Sequence, residues 1–97
     1  MTSGTERAVT VLVVVADRHA RPRDVAGATA RHVLTEAYGL AVIDVISVHS
    51  DTPRFRGGHV TWRVVTRARG PEPALAAAVA SADRGVTWAV DGPWAPR

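Results

Sequence analysis

The chain contains no cysteine, lysine, asparagine or glutamine, and it has one methionine, one phenylalanine and one tyrosine in 97 residues. Without cysteine there is no disulfide, no thiolate metal site and no thiol nucleophile. All 12 cationic side chains are arginine. Abundant alanine and valine with arginine in place of lysine fit the codon bias of a GC-rich bacterial genome. Long apolar runs are also missing, so a membrane span is not expected. The start, Met1 to Arg7, is polar and lacks the apolar core of a signal peptide. These features predict a soluble, cytoplasmic protein. The formal charge is only +3, and the arginines are scattered along the chain. Nucleic-acid binding usually needs a clustered basic face, so it is not expected here.

What is present is an order of patterns. Residues 1–7 read as a flexible tail. A nearly all-β-branched run at 8–16 (AVTVLVVVA) reads as a strand. Pro22 suits the first turn of a helix, where its missing N–H costs nothing, and Asp24 complements the helix dipole. Ala26, Ala30, Val33, Leu34 and Ala37 form an apolar stripe at helical spacing, and Gly39 stands where a helix-ending residue belongs. A second strand is predicted at 40–49, with Ile43 and Val45 on one side and Val42, Ile46 and Val48 on the other. A loop covers 50–58, and a third strand covers 59–68. In that strand Val60, Trp62 and Val64 would face the helices, and His59, Thr61, Arg63 and Val65 the other side. A second helix spans 72–82, a fourth strand 86–91, and residues 92–97 (GPWAPR) form a tail.

The order β-α-β-β-α-β predicts a single α+β domain over 8–91. Its form would be a ferredoxin-like sandwich, with a four-stranded antiparallel sheet and both helices on one face through right-handed crossovers. A sheet wet on one side should alternate apolar and polar residues. The first two strands mostly do not, which predicts a homo-oligomer that buries the open sheet face.

Three places in the chain resemble ACT-like regulatory domains: Asp17–Arg18 after the first strand, Tyr38-Gly39-Leu40 before the second, and Gly85-Val86-Thr87 opening the fourth. The closing run VTWAVD is similar to the end of the ACT-like cytoplasmic domain of MgtC-type membrane proteins. The resemblance implies a regulatory, ligand-binding module. One departure is that the glycine usually found just after Asp-Arg is replaced by His19, Ala20 and Arg21.

The candidate residues fall into two groups. Arg18, His19 and Arg21 would offer donors to a small anionic metabolite, with Trp88 as a ligand platform. Alternatively, His59 as general acid or base, Arg63 as anion stabiliser and Asp44 would serve a cofactor-free isomerase, cyclase or monooxygenase of the dimeric α+β barrel type. A third reading is an accessory protein-interaction subunit using the open face or Trp94. No cofactor is expected, since there is no phosphate-binding glycine loop. No metal is expected either, because the four histidines lack ligand spacing; His49, Asp51 and His59 at most bracket one loop. The stretch Arg56 to Trp62 only echoes an RNA-recognition signature, and the first strand carries no stacking ring.

Overall fold

The computed structural model describes residues 4–50 and 58–90. Its elements are β1 (Thr5–Ala16), α1 (Pro22–Tyr38), β2 (Ala41–Ser50), β3 (His59–Gly70), α2 (Glu72–Asp83) and β4 (Thr87–Ala89). The α+β order is therefore as expected, and the strands lie in one sheet in the order β2-β3-β1-β4. β1 starts at Thr5, inside the stretch read as a tail. Its first turns of strand are held by a full ladder to β3, from Thr5 opposite Gly70 onward. The Glu6 carboxylate also accepts a hydrogen bond from Arg69 at 3.0 Å.

The expected all-antiparallel sheet is corrected. β1 pairs antiparallel with β3, and β3 with β2, but β4 runs parallel to β1. β1 and β2 are thus parallel with β3 between them, giving one split β-α-β unit. The second unit is not formed, because β4 is antiparallel to β3. The cause is the path of α2. It begins straight after Gly70, level with Thr5, and the strand that follows it starts level with Leu12. Seven residues of strand span about 23 Å, and 12 helical residues rise about 18 Å. The helix therefore climbs in the direction of β1. Gly85, at φ 75°, closes its end, with the Val86 N–H bonded to the Ser81 carbonyl at 2.9 Å. The chain then moves to the sheet edge and continues the same way.

The core gathers Val9, Val11, Val13 and Val15 of β1, Val64 and Ala68 of β3, Ala26, Ala30, Val33 and Leu34 of α1, Leu75 and Ala78 of α2, and Trp88. We call this side of the sheet the core face. Thr66 also lies there, fully buried, and its hydroxyl donates to the Val9 carbonyl at 3.0 Å. On β3 the alternation holds: Val60, Val64, Thr66 and Ala68 are buried, whereas His59, Arg63, Arg67 and Arg69 are exposed.

β2 does not alternate as expected. Its register to β3 shifts between Val42 and Asp44 and again between Val45 and Ser47. Each bulge adds one residue, so Val42, Val45 and Val48 all pack against the core at a spacing of three. Ile43 and Ile46 are left outside, 42% and 56% exposed.

Candidate functional site

Carboxyl ends of β1, β2 and β4 lie at the same end of the sheet, where α1 begins. A cavity of about 230 Å³ opens there, lined by Asp17, Pro22, Ser50, Val60 and Trp62. That is about eight waters' worth of volume, so it suits a small ligand. Local sequence explains each wall. Asp17 follows the last residue of β1, and its N–H bonds the Gly58 carbonyl at 2.6 Å, which ties the end of β1 to the start of β3. Pro22 sits at the first turn of α1. Ser50 closes β2 opposite Trp62 in the ladder, and Val60 and Trp62 come from the core face of β3.

Two features make this end chemically uneven. The Trp62 indole ring forms a wall, and its Nε1 is buried without a hydrogen-bond partner. A buried donor left unmade costs about 1–3 kcal/mol. α1 opens at Arg21, whose side chain makes no capping hydrogen bond to the first-turn N–H groups.

Arg18, His19 and Arg21 belong to the connection between Asp17 and Pro22, and so flank the cavity lining in sequence; Arg18 and Arg21 are exposed. Trp88 is elsewhere. It is 2% exposed in the core, with its ring edge-on to Tyr38 at a centroid distance of 6.3 Å. The other trio is spread over the opposite sheet face. His59 opens β3 opposite Ala16, and Arg63 stands between Leu12 and His49. Asp44 lies opposite Arg67 and accepts from its Nη2 at 3.0 Å and its Nε at 3.4 Å. Asp44 holds the Arg67 guanidinium above its ordinary pKa, chiefly through this hydrogen bond and then through charge. Eight strand positions, about 26 Å, separate Arg67 from His59, so Asp44 and His59 do not share a site.

No known protein family, curated protein or solved structure matches the chain. The site is therefore read from its own residues. Among the described residues no three acidic or histidine side chains gather as metal ligands, and no helix is long and apolar enough to cross a membrane. Asp51, Arg56, Gly57, Asp91 and Trp94 lie outside the described residues, as do the tails at 1–3 and 92–97. Sequence reasoning assigned no binding role to Ser50 or Trp62. The available signal was the position of Trp62, on the core face near the start of β3.

Proposed function

We propose that the chain is a small-molecule-binding module of the regulatory kind, whose ligand occupies the cavity between Asp17, Ser50 and Trp62. The observation that carries this reading is Trp62, which lines the cavity and whose buried indole N–H has no hydrogen-bond partner. The location supports it, since ligands of open α/β sheets gather at the carboxyl ends of parallel strands, beside helix N-termini. A ligand acceptor, such as the carboxylate of a small anionic metabolite, would meet Trp62 Nε1 and the uncapped start of α1. Arg18, His19 and Arg21 would frame it, and Asp17 would take a ligand donor. A second copy would cover the sheet face away from the core, giving a cytoplasmic homo-oligomer resembling ACT-like domains.

The test is titration of the ¹⁵N-labelled protein with a set of small carboxylates, following the Trp62 indole N–H resonance. The expected result is a saturable shift, and a loss of affinity of at least ten-fold in Trp62→Phe, which keeps the ring and removes the donor. Binding that is equally tight in Trp62→Phe, or no shift with any member, rejects the cavity as the site.

One observation favours a second reading, a cofactor-free enzyme formed when two copies close their open faces on each other. Arg63 and His49 stand side by side there, next to Leu12, which is only 8% exposed, and Val65. Retention of full turnover by Arg63→Ala would remove it.

A further inference from the structure

The two free edges of the sheet are built differently. β2 is one edge, and its two bulges break the ladder, a common defence against unwanted strand pairing. The other edge is composite. β4 covers β1 only at Leu12, Val13 and Val14, and no strand of the sheet follows below it. β1 itself is unbroken from Thr5 to Ala16, with no register shift against β3.

The direction of its peptide groups is fixed by two hydrogen bonds. The Val14 carbonyl accepts the Val90 N–H at 3.2 Å, on the β4 side. The Val9 carbonyl accepts the Thr66 hydroxyl, on the β3 side. Successive residues of a strand point their N–H and C=O groups to opposite sides. Glu6, Ala8 and Thr10 therefore turn theirs toward the other side, where no strand among the described residues pairs with them. No proline guards this stretch, and its two charges are engaged within the chain, Glu6 with Arg69 and Arg7 with Glu72. Ala8 is exposed, as expected of a strand with a neighbour on one side only.

We propose that this half-edge of β1 is a docking site for an extended segment of another protein, which adds as a strand beside Glu6–Thr10 and below β4. Strand addition of this kind draws affinity from main-chain hydrogen bonds and specificity from alternate side chains. A second folded copy is the wrong occupant on two grounds. The half-edge is about 23 Å long and one strand wide, far short of the about 800 Å² per partner of a stable dimer. In addition, α2 packs mainly on β1, and Leu75 and Ala78 share the core with Val9 and Val11. Antiparallel pairing of two β1 strands would bring two α2 helices onto the same face about 5 Å apart, where packed helices need about 8–10 Å. A bare strand brings no helix. Its side chains on the core face would meet the α2 side of the notch, so they are expected to be small or apolar. Those on the other face would stand beside Glu6, Ala8 and Thr10.

Random octapeptides displayed on phage provide the probe. Selection against the full chain is expected to enrich proline-free sequences with apolar residues at alternate positions. A synthetic peptide of the enriched sequence should slow amide exchange at Ala8 and Thr10 by at least ten-fold and leave Val9 and Val11 unchanged. N-methylation of alternate peptide residues should abolish binding without touching the protein. Ala8→Pro removes an N–H that the β1–β3 ladder does not use, and should bind at least ten-fold more weakly, whereas Ala8→Gly should bind within about two-fold of the parent. The proposal is overturned if Ala8 and Thr10 amides of the free monomer are as protected as Val9 and Val11. It is equally overturned if their protection grows with protein concentration, which would make the occupant a second copy, or if selection enriches nothing that protects them.

Discussion

The two halves of the chain look alike in sequence and differ in the fold. In the first, a 17-residue helix connects β1 to β2, and the strands end up parallel with β3 between them. In the second, a 12-residue helix connects β3 to β4, and the strands end up antiparallel with β1 between them. The first half is held by a long ladder and three valines spaced by bulges. The second ends in a strand of three residues anchored by one buried tryptophan. Equal patterns thus give unequal anchoring, and the weaker half places its strand by where the helix stops.

The largest effect is expected from removing that anchor. Trp88→Ala should cost about 3–5 kcal/mol, read by chemical denaturation. It should also release β4 selectively, so that the Val14 amide loses exchange protection while those of β2 keep theirs. Val48→Ala, which trims one of three half-buried valines on β2, should cost about 1–2 kcal/mol. Equal losses would mean that β4 shares its load with contacts outside Trp88.

A smaller effect separates the two helix ends. Gly39 and Gly85 have φ of 67° and 75°, and a Cβ at either would meet nothing within 4 Å. Alanine at each should therefore cost about 1 kcal/mol, from backbone conformation alone. A Gly85→Ala penalty well above that of Gly39→Ala would show that turn geometry at Gly85 also sets the direction of β4.

The smallest effect belongs to the sheet surface. Asp44→Asn breaks the exposed pair with Arg67, whose side chains are each about half exposed, at 47% and 48%. Such pairs are weak and screened. The thermal midpoint should move by no more than a few degrees at low salt and by less in molar salt. A large, salt-resistant drop would mean that the open face is covered in solution.

Several elements were legible in the sequence, and the reasons are local. α1 was bounded by Pro22 and Gly39, residues whose backbone chemistry fixes a start and a stop. β3 alternated because one face is buried and the other is not. β2 misled because each bulge shifts the phase of alternation, so Val42, Val45 and Val48 reach the core at a period no regular strand has. The direction of β4 was unreadable because it depends on how far α2 climbs beside β1, a relation between segments more than 50 residues apart. At the candidate site, the loop after β1 was singled out from Arg18, His19 and Arg21. Trp62 was read as core, since a tryptophan on the buried side of a strand carries no sign that its indole N–H lacks a partner.

β1 is synthesised before the strands that pair with it and lies inside the finished sheet. Its antiparallel neighbour begins at His59, so at about 5–20 residues per second the run from Val9 to Val15 waits some 2–9 seconds for a partner, and longer for β4. During that interval a nascent chain displays an unbroken, uncharged, β-branched segment of the kind that self-associates. Slowing translation between β1 and β3 would lengthen the hazard, and yield of soluble protein would then be set by codon choice in α1 and β2 as much as by the stability of the folded state.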